Sequence, residues 1–374
     1  MRDTLIIFVD SLPYRTLSQM PFLNAAPEIW PIIPGFGYSV NIHAELFAGL
    51  LPDDVGYFGE WTYDPELSPG WKWRSILPLL DKLFRPYILN RGLQHLLMQG
   101  YRPGRIMINI PLRDLDKFAL KGDHILDNPQ SFPHPSLFSK FPHLKVLSIP
   151  HLPKGERDLS LYRSALNTVH QEGSMLLPLP DLDGFGHAYG ITGTPYRAHL
   201  DFLDASIATL ANKYRAAHPD GHVFVISDHG MVNVAQGITL DIEAYAGKAS
   251  SQTYVYFTDA NLLRVWVLDE GKNDVIHTYL QQLGRGQLVT PEERQTYGLT
   301  SPGFGDFIFV LDEGLAFAPS TFARHKPAGM HGYHPLAPGQ QAVCSHFGPP
   351  WQGDSPQRMS DVYHMLCSAL GGTW

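Results

Sequence analysis

The sequence predicts an α/β fold with a mostly parallel central sheet flanked by helices. Residues 223–226 are an unbroken apolar run, and this run and Thr4–Val9 both have the pattern of strands that are buried on both faces. Strand-like and helix-like segments alternate along the rest of the chain, which is typical of a single α/β core. With 374 residues, 44% of them hydrophobic, the chain can bury one large domain or two smaller ones.

Composition limits the classes of partner. The formal net charge is −8, the sequence pI is near 6.1 and no run of Lys or Arg occurs, so we expect neither a nucleic-acid polymer nor a membrane surface as partner. The apolar run near the N-terminus is too short for a signal peptide or a membrane span, which predicts a cytoplasmic protein. Cys344 and Cys367 are too few for a disulfide framework or a thiolate zinc site, although one bridge stays open.

The first strand ends in Asp10. A carboxylate at this place is a common metal ligand, but an aspartate that simply begins a turn fits the pattern equally well. The next residues, Ser11-Leu-Pro-Tyr-Arg15, also match the Ser-x-Pro-x-Arg outline of a sulfatase nucleophile. We interpret that match as accidental, because in sulfatases the motif lies well downstream of the metal-binding aspartates and opens a helix.

A helix is predicted after the Pro/Gly-rich loop of residues 30–37, and Ser39 falls in its first turn. Serine is a good N-cap, since its hydroxyl satisfies an amide at a helix start. The same position also suits a nucleophilic hydroxyl, because the helix-terminal N–H groups and the helix dipole stabilise a bound anion. Both interpretations of Ser39 remain open from the residues alone. His43 and Glu45 are expected to be packing or surface groups.

Two regions have the character of insertions in a single domain that spans residues 1–374. Residues 61–141 contain a tryptophan cluster and much proline, which fits a cap beside an active site or an ordinary packing insertion. Residues 236–323 contain several short strand-like pieces and one helix-like piece, which predicts a smaller antiparallel insertion.

Asp183 and His187 form the most specific pair of candidate ligands. They follow a strand-like segment and are separated by Gly184-Phe-Gly186, which predicts a flexible turn that could bring both side chains to one cation. The strand at residues 223–226 likewise ends in Asp228-His229, where ligands bind in open α/β sheets. His331 lies in a Gly-flanked loop far downstream, the usual source of a final imidazole ligand.

The candidate ligands are Asp10, Asp183, His187, Asp228, His229 and His331, with Ser39 as the candidate nucleophile. A mixed set of carboxylates and imidazoles fits zinc, with manganese or iron as alternatives. There are more candidate ligands than one tetrahedral site can hold, so the simplest interpretation is a pair of divalent metal ions. Two metals about 3.5–4 Å apart can stabilise both the attacking and the leaving oxygen of a phosphoryl transfer.

The order of these motifs resembles the nucleotide pyrophosphatase/phosphodiesterase branch of the alkaline phosphatase superfamily. The resemblance rests on five motifs between residues 10 and 334, including Asp-x-x-Gly-His-x-x-Gly, Asp-His-Gly-Met and Gly-x-His-Gly-Tyr. Ala48-Gly-Leu-Leu-Pro52 is similar to the family's Thr-Gly-Leu-x-Pro segment, which follows the nucleophile. The fold implied by this resemblance is an alkaline-phosphatase-like core.

The resemblance also implies roles. Asp183, His187 and His331 would hold one zinc, and Asp10, Asp228 and His229 the other. Ser39 would contact the second metal and act as the nucleophile, and the first metal would activate water. The implied activity is hydrolysis of a phosphodiester or diphosphate bond in a small organic or nucleotide substrate, through a covalent phospho-serine.

Two residues depart from the family pattern. Glu60 stands where the family has an asparagine that contacts the phosphate, and a carboxylate there repels a phosphoryl oxygen unless it is protonated or bound to a cation. His334 replaces an aspartate, although we favour His331 as the ligand. The alternatives are therefore a phosphomonoesterase or a phosphonate or sulfate ester hydrolase on the same scaffold, and a non-catalytic metal-binding homologue.

Overall fold

The computed structural model describes residues 3–84, 87–98, 110–122, 124–171 and 173–371. The chain divides into two compact units, each made of discontinuous segments. Unit 1 comprises Met1–Val55, Asp123–Ala235 and Pro327–Trp374, and unit 2 comprises Gly56–Gly122 and Gln236–Lys326. Both regions predicted to be insertions contribute to unit 2, but residues 123–141 of the first belong to unit 1.

The described residues contain strands β1 Thr4–Val9, β2 Glu28–Ile32, β3 Trp61–Tyr63, β4 Phe118–Leu120, β5 Lys145–Val146, β6 Met175–Leu179, β7 His222–Ile226, β8 Val232–Asn233, β9 Gln236–Ile238, β10 Tyr254–Thr258, β11 Leu262–Val267, β12 Gly286–Leu288, β13 Phe307–Leu311, β14 Leu315–Phe317, β15 Gly329–Met330 and β16 Ala342–Phe347.

The helices in the same part of the chain are α1 Pro21–Asn24, α2 Ser39–Ala48, α3 Pro52–Val55, α4 Leu77–Leu83, α5 Tyr87–Met98, α6 Leu137–Lys140, α7 Arg157–Thr168, α8 Asp181–Tyr189, α9 Thr194–Ala217, α10 Ile242–Ala246, α11 Asn273–Leu283, α12 Pro291–Thr296 and α13 Met359–Ala369. Short 3-10 helices occur at Tyr14–Gln19, Trp71–Trp73, Leu112–Asp114, Pro129–Ser131, Glu270–Lys272, Pro302–Phe304 and Pro338–Gln340.

Unit 1 is built on a six-stranded sheet in the order β2-β16-β7-β1-β6-β5. The four strands from β7 to β5 are parallel, and β16 runs antiparallel to both β7 and β2. Helices α7 and α9 pack on one face of the sheet, and α2 and α13 pack on the other. The predicted α/β fold with a mostly parallel, helix-flanked sheet is confirmed.

Strand β1 shows why its sequence is apolar from Leu5 to Val9. Its alternate residues Leu5, Ile7 and Val9 join the core cluster on the α9 side of the sheet. Ile6 and Phe8 point the other way, into the cluster that contains α2 and α13. Because both faces of the strand are buried, none of these five positions favours a polar side chain.

Unit 2 contains a four-stranded antiparallel sheet in the order β10-β11-β13-β12. The antiparallel pair β3–β4 and the parallel pair β9–β14 complete its strands among the described residues. One side of the four-stranded sheet packs on α11, with Ile276 and Leu280 buried. A second cluster joins Trp61 and Phe118 to Trp266.

Two expectations about smaller features can be compared with the structure. Cys344 and Cys367 are buried free thiols, so the one bridge left open by the sequence does not form. Among the described residues, no helix has the length and apolarity needed to cross a membrane.

Candidate metal centre and nucleophile

The candidate site lies at the carboxyl ends of three neighbouring strands. Strand β1 pairs in parallel with β6 on one side and β7 on the other. Asp10 follows β1 directly, α8 begins just after β6, and Asp228 comes two residues after β7. Because parallel strands end at the same edge, the three segments bring their carboxylates together.

Asp183, His187 and His331 form the first group, and their ligand atoms all lie within 4.8 Å of one another. Asp183 Oδ1 is 3.2 Å from His187 Nε2 and 3.5 Å from His331 Nε2. The predicted flexible turn between Asp183 and His187 is wrong: both residues lie in α8, at positions i and i+4. That helical spacing places both side chains on one face without any loop flexibility.

Asp10, Asp228 and His229 form the second group, whose ligand atoms also lie within 4.8 Å of one another. His229 Nε2 is 3.1 Å from Asp228 Oδ2 and 3.8 Å from Asp10 Oδ1. The structure thus brings together all six candidate ligands in the two sets of three that the resemblance implies. Their roles as metal ligands remain a prediction.

Ser39 is the first residue of α2, and its hydroxyl lies 3.0 Å from His229 Nε2. The expectation that Ser39 could be the N-cap is wrong, because Tyr38 occupies that position and its N–H donates to the side chain of Asn41. The hydroxyl of Ser39 is therefore not used as a helix cap, and it points to the second ligand group.

Hydrogen bonds of the histidines fix which ring nitrogen faces the candidate metal positions. His229 Nδ1 donates to the carbonyl of Gly230 at 3.0 Å, and His187 Nδ1 donates to the carbonyl of Gly329 at 3.0 Å. Each ring must then present an unprotonated Nε2 when it is neutral. Metal-binding histidines in proteins are usually oriented in this way.

The two groups meet through a pair of stacked rings. The rings of His229 and His331 are nearly parallel, with an interplanar angle of 5° and centroids 3.7 Å apart. Burial, and then the neighbouring His229, hold the pKa of His331 well below its usual range. Burial also acts to lower the pKa of His229, but Asp228 outweighs it and raises that pKa. Because the pKa of His229 is raised and the pKa of His331 is lowered, the two stacked rings are not positively charged at the same time.

The carboxylates of the site fit a bound cation. Burial, and then the negative charges of Asp228 and Asp183, raise the pKa of Asp10 well above its usual range. Asp10 Oδ1 and Asp183 Oδ1 are buried, and neither accepts an aligned hydrogen bond from the described residues. Three crowded carboxylates, two of them with an unsatisfied buried oxygen, are stabilised by metal ions, which are the partners such buried charges require. The residues present therefore fit two divalent cations.

Asp228 is held by contacts that the sequence did not reveal. Its Oδ1 accepts from the backbone N–H groups of Ser11 and His229, both at 3.0 Å. Its Oδ2 lies 3.0 Å from Nε2 of His43, which is one helical turn after Ser39 in α2. His43 was expected to be a packing or surface group, and its i+4 spacing from Ser39 was the signal that could have identified it.

Ser11 itself has a structural task. Its backbone has a φ of 63°, a left-handed conformation that is unusual for a residue other than glycine. The conformation lets its N–H reach Asp228, and its fully buried hydroxyl donates to the carbonyl of Gly230 at 3.3 Å. The sulfatase-like outline at Ser11 therefore coincides with a support for the second ligand group.

Gln340 ties together the loops that carry His229 and His331. Its backbone carbonyl accepts from the N–H of Gly230 at 2.8 Å. Its buried side-chain oxygen accepts from the N–H groups of Gly332 at 2.9 Å and Tyr333 at 3.2 Å. Each bond lies within two residues of a candidate ligand, so Gln340 links the two loops that carry His229 and His331.

His334 and Glu60 are placed differently from the six ligands. The first ligand group contains His331 and not His334, whose Nδ1 accepts from the N–H of Leu336 at 3.3 Å. Glu60 belongs to unit 2, where its carbonyl accepts from the N–H groups of Lys121 at 2.9 Å and Gly122 at 3.0 Å. A substrate-binding role for Glu60 stays a prediction.

Comparison with known proteins identifies the family. A model of the type I phosphodiesterase/nucleotide pyrophosphatase family matches residues 148–334, which is half of the chain. The chain belongs to this family. The matched residues include five of the six candidate ligands, and Asp10 and Ser39 lie outside them. A search of curated proteins gives no significant match.

Solved structures of this phosphodiesterase family share the fold. Human ectonucleotide pyrophosphatase/phosphodiesterase 5 is 14% identical with a TM-score of 0.68, and the match covers 100% of this chain and 96% of that one. The inactive variant of the murine protein, solved in complex with AMP, is 16% identical with a TM-score of 0.64 and the same coverage. The alkaline-phosphatase-like core implied by the sequence is confirmed.

Proposed function

We propose that this protein is a two-metal hydrolase that cleaves a phosphodiester or diphosphate bond of a small organic or nucleotide substrate, with Ser39 as the nucleophile. The observation that carries the proposal is the position of the Ser39 hydroxyl, at a helix start and 3.0 Å from His229 of the second ligand group. Membership of the phosphodiesterase family supports the reaction class.

In the first step, the oxygen of Ser39 forms a bond to phosphorus, and the bond from phosphorus to the leaving-group oxygen breaks. The hydroxyl proton of Ser39 passes to solvent, and the leaving group takes up a proton from solvent. The N–H groups of Ser39 and Val40, at the start of α2, would stabilise the equatorial phosphoryl oxygens. In the second step, water forms a bond to phosphorus, the bond from phosphorus to the Ser39 oxygen breaks, and that oxygen takes up a proton. A phosphodiester substrate then leaves as a phosphate monoester, and Ser39 is regenerated.

The six ligands would hold two divalent cations, which we expect to be zinc, with manganese or iron as alternatives. Asp183, His187 and His331 would bind one, and Asp10, Asp228 and His229 the other. When bound, the cations lower the pKa of a coordinated hydroxyl or water and neutralise developing negative charge. A cytoplasmic location stays part of the proposal.

Substitution of Ser39 tests the nucleophile. Ser39→Ala should lower turnover of a p-nitrophenyl phosphodiester by at least about 1,000-fold, because no covalent step is then possible. Ser39→Thr keeps a hydroxyl at the same position and is the matched control, which should retain measurable turnover. Elemental analysis should give a metal content near two per chain in all three proteins. Full activity of Ser39→Ala would show that the nucleophile is elsewhere.

Relative rates on a p-nitrophenyl diester, monoester and sulfate test the substrate class. We expect the diester to be preferred, and a hundredfold preference for the monoester or the sulfate would favour the corresponding alternative. Glu60→Asn restores the family's residue and should raise activity on anionic diesters if the Glu60 carboxylate repels them. A metal-loaded protein that turns over none of the three would support the non-catalytic alternative.

A further inference from the structure

Unit 2 exposes an unusually apolar segment between residues 67 and 96. Eight of the fourteen large hydrophobic side chains that are exposed in the described chain lie within this segment. Trp71 and Trp73 are 50% and 42% exposed, and Leu79 and Leu83 are 57% and 64% exposed. Scattered exposed leucines are normal on a protein surface, but a concentration of this kind marks an interaction site.

The helices of this segment bury some apolar side chains and expose others. On the inner side, Leu77 and Leu80 of α4 and Leu93 of α5 pack on the cluster around Trp61 and Phe118. The outer side carries a second apolar stripe, with Ile76, Leu79 and Leu83 at helical spacing before and along α4, and Leu89 and Leu96 seven residues apart on α5. Exposed apolar side chains in this number favour a second apolar environment. We call this outer surface the apolar face; it consists of Trp71, Trp73, Ile76, Leu79, Leu83, Leu89 and Leu96.

The charged side chains around the apolar face are positive, whereas the chain as a whole has a negative net charge. The exposed charged residues between positions 67 and 84 are Lys72, Arg74 and Lys82. The carboxylate of Asp81 is turned inward, where it accepts from the N–H of Leu112 at 2.9 Å and lies 3.5 Å from Arg113. The chain as a whole carries −8. The local charge therefore complements a negative surface, even though the overall charge predicted no such partner.

We propose that the apolar face docks this protein on the surface of an anionic phospholipid bilayer. The order Trp71-Lys-Trp73-Arg alternates aromatic rings with cations. Tryptophan favours the headgroup layer of a bilayer, where basic side chains meet lipid phosphates and leucines reach the acyl boundary. The inference does not depend on the proposed function.

Vesicle binding tests the proposal on the full chain. We expect co-sedimentation with vesicles of phosphatidylglycerol and phosphatidylcholine, and binding roughly 100-fold weaker to phosphatidylcholine alone, since each exposed cation contributes roughly fivefold near an anionic surface. The combined variant Trp71→Ser and Trp73→Ser should weaken binding to the mixed vesicles by at least about tenfold. Lys72→Ser with Arg74→Ser should remove most of the preference for anionic lipid.

The matched control is Leu268→Ser with Leu336→Ser, which removes exposed leucines outside the apolar face and should leave vesicle binding unchanged. Circular dichroism confirms that each variant is folded. Absence of binding, equal binding to both vesicle types, or full binding by the tryptophan variant would overturn the proposal. Concentration-dependent dimerisation that the tryptophan variant abolishes, without vesicle binding, would instead identify the face as a subunit interface.

Discussion

Asp228 receives hydrogen bonds from three different segments of unit 1. Ser11 and His229 supply backbone N–H groups to one carboxylate oxygen, and His43 contacts the other. Burial acts to raise the pKa of Asp228, but His229 and His43 outweigh it and hold the pKa well below its usual range. The carboxylate is thus kept ionised and oriented, and His43 links it to the helix that carries Ser39.

Removal of the His43 side chain should loosen this ligand. We expect His43→Ala to weaken metal binding by the second ligand group, and to lower turnover, by roughly 10- to 100-fold. His43→Gln is the matched variant, because its amide N–H can still donate to Asp228 and should recover much of the loss. A competition titration with a chromophoric chelator measures the affinity. Unchanged metal affinity in His43→Ala would contradict the assigned role.

Glu45 is a buried acid on α2 that takes no part in either ligand group. A Cβ at Gly35 would lie 2.5 Å from Glu45 Oε2, so the glycine makes room for the carboxylate. Burial raises the pKa of Glu45 to about 7, although the N–H of Ser360 and the charge of Arg358 act in the opposite direction. Asp361 adds a smaller upward contribution.

The raised pKa makes stability depend on pH. Between pH 4.5, its usual pKa, and about pH 7, Glu45 is protonated in the folded protein and ionised in the unfolded protein. Its contribution to the free energy of unfolding therefore falls as pH rises. The loss amounts to about 3 kcal/mol between pH 4.5 and values above 7. We predict that Glu45→Gln removes this dependence. Urea unfolding of the metal-free protein at several pH values measures it, and parallel pH profiles of the two proteins would contradict the prediction.

At the scale of elements, helices α7 and α8 cap each other: a carboxylate from each helix accepts a backbone N–H from the first turn of the other. The N–H of Asp158 in α7 donates to Asp181 at 3.0 Å, and the N–H of Asp181 in α8 donates to Asp158 at 3.1 Å. Arg157 Nε donates to Asp181 at 2.6 Å, and His199 lies 2.9 Å from the other oxygen of Asp158. This reciprocal arrangement fixes the start of α8, two residues before Asp183.

Loss of one partner should affect both helices. We predict that Asp158→Ala costs about 3 kcal/mol of unfolding free energy, since it leaves the N–H of Asp181 and the ring of His199 without their buried acceptor. Activity should fall as well, because α8 carries Asp183 and His187. Asp201→Ala, at an exposed position of α9, is the control and should change stability by less than about 0.5 kcal/mol. Equal stability of the two variants would argue against the capping role.

At the scale of the whole molecule, the two ligand groups connect parts of the chain that are far apart in sequence. Asp10 follows β1, His187 lies in α8, Asp228 and His229 follow β7, and His331 follows β15. Strand β15 pairs with β8 just beyond His229, which brings the last histidine into place. Bound cations would cross-link these segments in the folded state only.

Metal removal should therefore lower stability. A ligand present at 100 times its dissociation constant stabilises the folded state by about 2.7 kcal/mol per site, so chelation should lower the melting temperature by several degrees. Zinc added back should restore the original value. Differential scanning calorimetry measures the change, with elemental analysis to verify that the metal has been removed. An unchanged melting temperature after verified removal would contradict two structural cation sites.

The sequence by itself determined the α/β class and the identity of the six candidate ligands. Buried parallel strands must be apolar on both faces, and ligands at their ends interrupt that pattern visibly, as Asp10 and Asp228 do. Motif order added the family, which the match to residues 148–334 confirmed. These features depend on local pattern and chain order, which a single sequence records.

Only the tertiary structure showed the helix at Asp183, the supporting contacts of His43 and Gln340, and the apolar face. The sequence predicted a turn at Asp183 because two glycines are poor helix formers, but packing overrides that preference: a Cβ at Gly186 would lie 2.8 Å from Met231. His43 contacts Asp228, which is 185 residues away, and Gln340 joins two separate loops, so the only local sign of either role was the i+4 spacing of His43 from Ser39. The positive apolar face was hidden because net charge averages over the whole chain, whereas a surface is defined by which side chains the fold turns outward.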